Sequence, residues 1–234
     1  MQTYKRRPWL PRSKNDKKFA IESIGQSLSN NADLTLVLAT RNRGKIEEVE
    51  RVLKQHTAHI KLKSVADFDI ADVEETGSSF EENALLKAAT IAEKTGLPAL
   101  ADDSGIAIDA LNGAPGIFSA RWAGTHGDDA ANTAKVLQQL ENTLDSQRGA
   151  AFVCVIALAL PNGKSITVRG ELRGVVRREP IGEFGFGYDP IFQPEGFDIT
   201  TAQMSPEQKD AISHRGIALR EIAPKIQPFL LGGI

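Results

Sequence analysis

The run Leu97-Pro-Ala-Leu-Ala-Asp-Asp-Ser-Gly105 sets two adjacent carboxylates, Asp102 and Asp103, behind an apolar lead and before a hydroxyl, Ser104, and a glycine. Neighbouring acids repel each other and lose hydration at the end of a strand-like run, so they persist where a cation or solvent neutralises them. Oxygen donors of this kind suit Mg²⁺, which takes one or two carboxylates and fills its shell with phosphates and water. Asp-Ser-Gly is equally good turn chemistry, and a surface turn is the competing reading of the same residues.

A second stretch has the composition of an anion site. Leu34–Thr40 is leucine-rich and β-branched and reads as a buried strand of the parallel type; Arg41, Asn42, Arg43, Gly44 and Lys45 follow it. Ile46, Val49 and Leu53 then recur with helical spacing. Strand, polar loop and helix start direct backbone N–H groups at a ligand, and Lys45 adds a full charge. A Walker A loop is excluded, because positions 39 and 46 hold Ala39 and Ile46 instead of Gly and Ser or Thr.

Two further groups could line a pocket. Gly182-Glu-Phe-Gly-Phe-Gly-Tyr-Asp-Pro190 interleaves glycines with rings, and Phe186 and Tyr188 offer flat faces on which a nucleobase can stack. A tight turn whose rings fill the core explains Phe184 as well. Lys209, His214 and Arg215 lie within seven residues near helix starts and suit an anion, although a solvated helix face is the usual place for such charges.

The elements that must position these residues are legible in outline. Ser79 and Glu82 have capping-box spacing, and a helix follows whose stripe is Ala84, Leu85, Ala88, Ile91 and Ala92, with Asn83 and Lys87 together on another face. Gly96-Leu-Pro98 stops it. Residues 132–140 read as a helix with Ala134, Leu137 and Leu140 on one face, and Trp122 reads as a core anchor beside Arg121. Pro161-Asn-Gly163 turns a strand at 151–160 into another at 165–169, and 171–177 reads as a further strand. Ser205-Pro206 opens a helix with proline at its first position, and residues 217–222 form the last one. A βα-like first part and an antiparallel second part make a mixed-sheet α/β protein with two lobes. Open α/β sheets place ligands where the loops converge at one end of the sheet.

Composition narrows the function classes. The 234 residues, 41% hydrophobic and 25% charged, have no run approaching a membrane span. The single cysteine, Cys154, lies in the apolar run 150–160 and reads as an inert core residue, so an internal disulfide is excluded and the cytoplasm is the natural compartment. Residues 1–33 carry seven basic and three acidic residues, which leaves positions 34–234 with a net charge of −6. An acidic body argues against general nucleic-acid binding. The basic lead lacks the apolar stretch of a secretory signal and reads as a poorly ordered tail, with a transit peptide as the alternative.

Thr40-Arg-Asn-Arg-Gly-Lys45, Glu74-Glu-Thr-Gly77, Phe80-Glu-Glu-Asn-Ala84 with Lys87, Ala101-Asp-Asp-Ser-Gly105, Gly113-Ala-Pro-Gly116 with Ser119-Ala-Arg121, Phe186-Gly-Tyr-Asp-Pro190 and Ser213-His-Arg-Gly216 occur in this order. In that combination the chain resembles the inosine/xanthosine triphosphate pyrophosphatase family, from residue 34 to about 230. The position after Thr40, often glycine in relatives, is Arg41 here. The resemblance implies an elongated mixed-sheet α/β fold with two lobes flanked by helices, built from residues 34–234 behind a basic extension at 1–33. It also implies a cytoplasmic homodimer that hydrolyses ITP, dITP and XTP with Mg²⁺ to the monophosphate and pyrophosphate, keeping deaminated purines out of DNA and RNA, with neither nucleic acid nor membrane as partner. By matching motif, Glu74 and Asp103 hold Mg²⁺ and Asp103 is also the base, with Asp102 as its rival. Thr40, Arg41, Asn42, Arg43, Gly44 and Lys45 cradle the triphosphate, with Lys87, Ser104 and Lys209 near it. Phe186, Gly187, Tyr188, Asp189, His214 and Arg215 line the base. The rivals are a Maf-type nucleotide pyrophosphatase and a nucleotide-binding module without chemistry.

Overall fold

The computed structural model describes residues 34–54 and 60–232. The expectations for residues 1–33 lie outside the described residues. Among the described residues the strands form one six-stranded mixed sheet with the order β2-β1-β3-β4-β5-β6. They are β1 (Leu34–Leu38), β2 (Ile60–Ser64), β3 (Ala99–Ile108), β4 (Gly149–Ala159), β5 (Ser165–Val176) and β6 (Phe192–Pro194). β1 and β3 are parallel, and the β3–β4, β4–β5 and β5–β6 pairs are antiparallel. The helices are α1 (Arg43–Lys54), α2 (Phe80–Thr95), α3 (Asp129–Gln139), α4 (Pro206–Ile212) and α5 (His214–Leu230). A parallel pair followed by an antiparallel meander is what the sequence predicts.

Strand alternation sorts the core onto two faces. Leu36, Leu38, Leu100, Ile156 and Leu158 point to one face, where they meet Val49 and Leu53 of α1 and Leu219, Ile222 and Ile226 of α5. Val37, Ala99, Ala101, Val155 and Ala157 point to the other and meet Ala84, Ala88, Ile91 and Ala92 of α2. Alanine meets alanine there, so α2 lies close on the sheet. A third cluster joins Ile106, Ile108, Phe152 and Phe192 to Val136 and Leu140 at the α3 end. Cys154 is buried, and burial pushes its thiol up to about 12, as an inert core residue requires.

Several local expectations are corrected. The Asp102-Asp103 pair lies in the middle of β3 and not in a turn, because β4 pairs with β3 from residue 99 to 108. α1 begins at Arg43, so Gly44 and Lys45 belong to its first turn. Ser79 caps α2 by accepting from the Glu82 N–H, but the Glu82 carboxylate turns to Ser78, so the reciprocal half of the capping box is missing. The inner face of α3 is Asn132, Thr133 and Val136, while Ala134 is exposed. β5 runs unbroken through Gly170, whose missing Cβ leaves room for the His214 carbonyl. α5 extends past Ile222 to Leu230 despite Pro224 and Pro228. An interior proline costs about 3 kcal/mol, and burial of Ala223, Ile226 and Phe229 offsets it. Trp122 is half-buried at the edge of the third cluster, with its indole N–H donated to Gln139 Oε1 at 2.7 Å. Phe184 is 60% exposed and fills no core.

Candidate active site

The site exists because β1 is short. Its last ladder bond is the Ala39 N–H to the Leu100 carbonyl at 2.8 Å, after which the chain leaves the sheet through Thr40, Arg41 and Asn42 into α1. β3 continues for eight residues beyond Leu100, so its edge at residues 102–104 faces a cavity at the end of the parallel pair. This is the position at which α/β sheets hold ligands.

Alternation then divides the two acids. Asp102 shares the face of Leu100 and meets α1 and α5. It pairs with Lys45 Nζ at 3.0 Å, accepts from Arg215 Nε and Nη2 at 3.2 Å each, and accepts from the Ser104 hydroxyl at 3.2 Å. Asp103 shares the face of Ala101 and meets α2, accepting from Asn83 Nδ2 and Lys87 Nζ at 3.2 Å each. Burial would raise the Asp102 pKa, but Lys45, Arg215 and Lys87 outweigh it and hold the carboxylate well below its ordinary range. At Asp103 burial dominates, and with Glu75 nearby it lifts the carboxyl above its ordinary value against the pull of Lys87. One acid is a locked anion and the other is the stronger base.

The acidic loop closes the cavity through Glu75. Lys87 Nζ donates to Glu75 Oε1 at 2.6 Å, and Arg121 Nη1 donates to Glu75 Oε2 at 3.2 Å. Asn83 positions this loop, since its Oδ1 accepts from the Gly77 N–H at 2.8 Å while its Nδ2 serves Asp103. Glu74, the expected metal ligand, is exposed and lines neither cavity. On an irregular loop neighbouring side chains diverge, and Glu75 is the one turned inward. Among the described residues no group of three or more His, Cys, Asp or Glu side chains gathers to hold a metal. Instead a pair, Glu75 and Asp103, is bridged by the single ammonium of Lys87. A hard divalent cation fits this donor set, because it takes one or two carboxylates and completes its shell from phosphate and water.

The loop between β1 and α1 lies at the polar cavity. Thr40, Asn42 and Lys45 line the polar cavity, and the Lys45 N–H is capped by Asn42 Oδ1 at 3.1 Å. Arg41 reaches across the rim to Asp72 and the Ile70 carbonyl. Arg43 is exposed and lines neither cavity. Gly44 lies under the Phe186 ring, where an added Cβ would come within 2.9 Å of Cδ1.

A second, more apolar cavity adjoins the first and shares Asn42, Lys45, Ser104, Ala120 and His126 with it. Phe186, Gly187, Tyr188, Asp189, His214 and Arg215 come together in its lining, and Lys209, expected beside the triphosphate, lies here and not in the polar cavity. The Asp189 carboxylate is spent on structure: it pairs with Lys209 and accepts from the Phe186 N–H at 2.8 Å and the Thr201 hydroxyl at 2.9 Å. The Tyr188 hydroxyl donates to the Ser119 carbonyl at 2.8 Å. These bonds fix the loop so that Phe186 covers the cavity. The His214 ring stacks on Phe152 with centroids 4.9 Å apart, and its Nδ1 has no hydrogen-bond partner among the described residues. Burial and the neighbouring Arg215 push the imidazole down to about 3, so it is neutral. Arg215 is held by Glu48, Asp102 and Ser104, and Glu48 also accepts from the Ser213 hydroxyl at 2.9 Å.

Sequence reasoning missed Glu75, Glu48 and His126 and left the roles of Asn83 and Arg121 open. Glu48 had one signal, an acid beside the buried Val49 and Val52 on the inner side of α1.

The model of the Ham1 family matches residues 36–225. A protein from Streptomyces avermitilis named dITP/XTP pyrophosphatase is 54% identical over 196 residues, covering 83% of this chain and 98% of that protein. One of the same name from Mycobacterium tuberculosis is 49% identical over 199 residues, covering 84% and 97%. A solved HAM1 protein from Coxiella burnetii superposes with a TM-score of 0.76 at 46% identity, covering 83% of this chain and 98% of that one. A nucleoside-triphosphatase / dITP/XTP pyrophosphatase from Mycobacterium abscessus gives 0.68 at 50%, covering 82% and 100%. With a match to the family model over residues 36–225 and relatives about half identical over most of its length, the chain belongs to the Ham1 family.

Proposed function

We propose that this protein hydrolyses non-canonical purine nucleoside triphosphates, ITP, dITP and XTP, to the monophosphate and pyrophosphate with Mg²⁺ as cofactor. The observation that carries this reading is the junction of the two cavities. Asn42, Lys45 and Ser104 line both, so one ligand with a polyanionic end and a flat end spans them. The names of the relatives agree with it.

The triphosphate lies over the start of α1, where Lys45, the backbone N–H groups and Thr40 face it. Asp103 takes the proton from the attacking water, a role left to it because Lys45, Arg215 and Ser104 already occupy the Asp102 carboxylate. Glu75 and Asp103 would hold the Mg²⁺, which neutralises phosphate charge and acidifies bound water. Lys87, which bridges these two acids, would serve a phosphate oxygen. In the other half Phe186 stacks on the base. Arg215 makes four hydrogen bonds to protein groups, which leaves one N–H of five. Recognition of the 6-oxo group therefore falls chiefly on the neutral His214 and backbone N–H groups, and adenine's amine would leave these donors unpaired.

The same reading makes the protein a cytoplasmic homodimer with residues 1–33 as an appended extension. No helix among the described residues is long and apolar enough to cross a membrane.

The test is product analysis with Mg²⁺ and ITP, XTP, dITP, ATP, GTP and dTTP. Monophosphate and pyrophosphate from the first three, with the others largely intact, supports the proposal. Orthophosphate release, or preference for dTTP, contradicts it.

A further inference from the structure

The side chains that line the polar cavity carry more negative than positive charge, which a bound polyanion must overcome. The lining holds four carboxylates, Asp72, Glu75, Asp102 and Asp103, against three cations, Lys45, Lys87 and Arg121. Each cation is already paired with one of those carboxylates. A divalent cation offsets only part of the charge of a bound triphosphate. One further cation stands at the edge. Arg41 lies between Thr40 and Asn42, whose side chains line the cavity, and its guanidinium is paired with the lining carboxylate of Asp72 and with the Ile70 carbonyl.

The position of this pair follows from what each cavity shares. Lys45 and Ser104 line both cavities and mark the junction, whereas Asp72 lines only the polar one. With the α-phosphate at the junction beside Lys45 and Ser104, the phosphates furthest from the base extend into the polar cavity, past Asp103 toward Asp72. The pair is also cheap to open. The Asp72 side chain is 85% exposed and that of Arg41 40%, and an ion pair in water contributes only about 0–1 kcal/mol. A terminal phosphate carries more charge than a carboxylate and accepts the guanidinium fork through two oxygens.

We infer that Arg41, held by Asp72 at the cavity rim, exchanges that carboxylate for the terminal phosphate of the substrate and so selects triphosphates over diphosphates. This rests on the proposed pyrophosphatase reading, since it assigns one end of the same substrate. Asp72 keeps the guanidinium aimed at the rim and is its competitor in the empty site.

The experiment compares kcat/KM for ITP and IDP in the wild type, Arg41→Ala, Arg41→Lys and Asp72→Asn, each checked for folding by its unfolding midpoint. In Arg41→Ala the ITP value falls about tenfold relative to the IDP value, the scale of one charge-assisted hydrogen bond. Arg41→Lys recovers part of the ratio, and Asp72→Asn raises it. A ratio within about twofold of wild type in Arg41→Ala, or an equal loss on both nucleotides, overturns the inference and leaves the pyrophosphatase reading standing. A wild-type protein that turns over neither ITP nor XTP overturns that reading and the inference with it.

Discussion

Asp102 and Asp103 are consecutive in β3, yet Asp102 pairs with Lys45 of α1 at 3.0 Å while Asp103 pairs with Lys87 of α2 at 3.2 Å. The strand pleat sends them to opposite faces, and the missing continuation of β1 lets both reach the same cavity around the exposed edge. Two carboxylates of one type thus acquire different chemistry from their surroundings. Three cations keep Asp102 ionised, and burial beside Glu75 makes Asp103 the more basic.

Asp103→Asn removes the proposed base with little change in shape. Asn83 and Lys87 keep other partners, Gly77 and Glu75, so the fold is expected to stand. With ITP, kcat is expected to fall by far more than tenfold, while the unfolding midpoint stays near that of wild type. Retention of more than about a tenth of kcat, a barrier change of only ~1.4 kcal/mol, removes Asp103 from that role.

Glu75 and Glu74 are separated by one substitution each. Glu75→Gln weakens one of two paired carboxylates and is expected to raise the Mg²⁺ concentration needed for half-maximal activity by about tenfold or more. Glu74→Gln changes an exposed side chain and is expected to move it less than about threefold. Mg²⁺ titrations of both variants read the difference, and the reverse order would restore Glu74 as the ligand.

Gly170→Ala probes how the sheet sets the base cavity. The added Cβ would stand 2.0 Å from the His214 carbonyl oxygen and 2.8 Å from the Ala218 nitrogen, both backbone atoms that cannot swing aside. The first turn of α5 must shift, at a cost of about 1–3 kcal/mol in unfolding free energy. Because that turn carries His214 and Arg215, KM for ITP is expected to rise with it. Denaturant unfolding and steady-state kinetics check the two together.

Acid should destabilise the protein in a defined order. The His214 imidazole is pushed from 6.5 down to about 3, so between those values the unfolded chain takes up a proton that the folded one refuses, and stability falls as pH falls. Above 6.5 this group contributes nothing. Burial would raise the Glu48 pKa, but Arg215, Lys209 and His214 bring it from 4.5 down to about 2, so its share is intact above 4.5 and lost below. Asp103, with its raised pKa, acts in the opposite sense. His214→Asn is therefore expected to flatten the melting temperature between pH 6.5 and 4.5, measured by thermal scans; an unchanged slope contradicts the assignment.

Much of this was legible in the chain because periodicity and motif agreed. The Leu34–Leu38 strand, the α1 stripe and the Pro161-Asn-Gly163 hairpin each follow from local pattern, and the acids, Lys45 and Lys87 meet as their elements predict. What was hidden depends on contacts between distant segments. Nothing local distinguishes Glu75 from Glu74 on a loop without regular dihedrals, and only Lys87 and Arg121 draw one of them inward. Gly170 reads as a break until the His214 carbonyl is seen against it. The helix expected over 217–222 extends to Leu230 because its packing on the sheet, which the local sequence does not show, carries it through Pro224.

In the proposed reaction Asp103 directs water onto the α-phosphorus. Hydrolysis of ITP in H₂¹⁸O, followed by mass spectrometry of both products, tests it most directly. Attack at the α-phosphorus leaves one ¹⁸O in the phosphate of IMP and none in the pyrophosphate. Label in the pyrophosphate with unlabelled IMP would mean attack at the β-phosphorus and would contradict it.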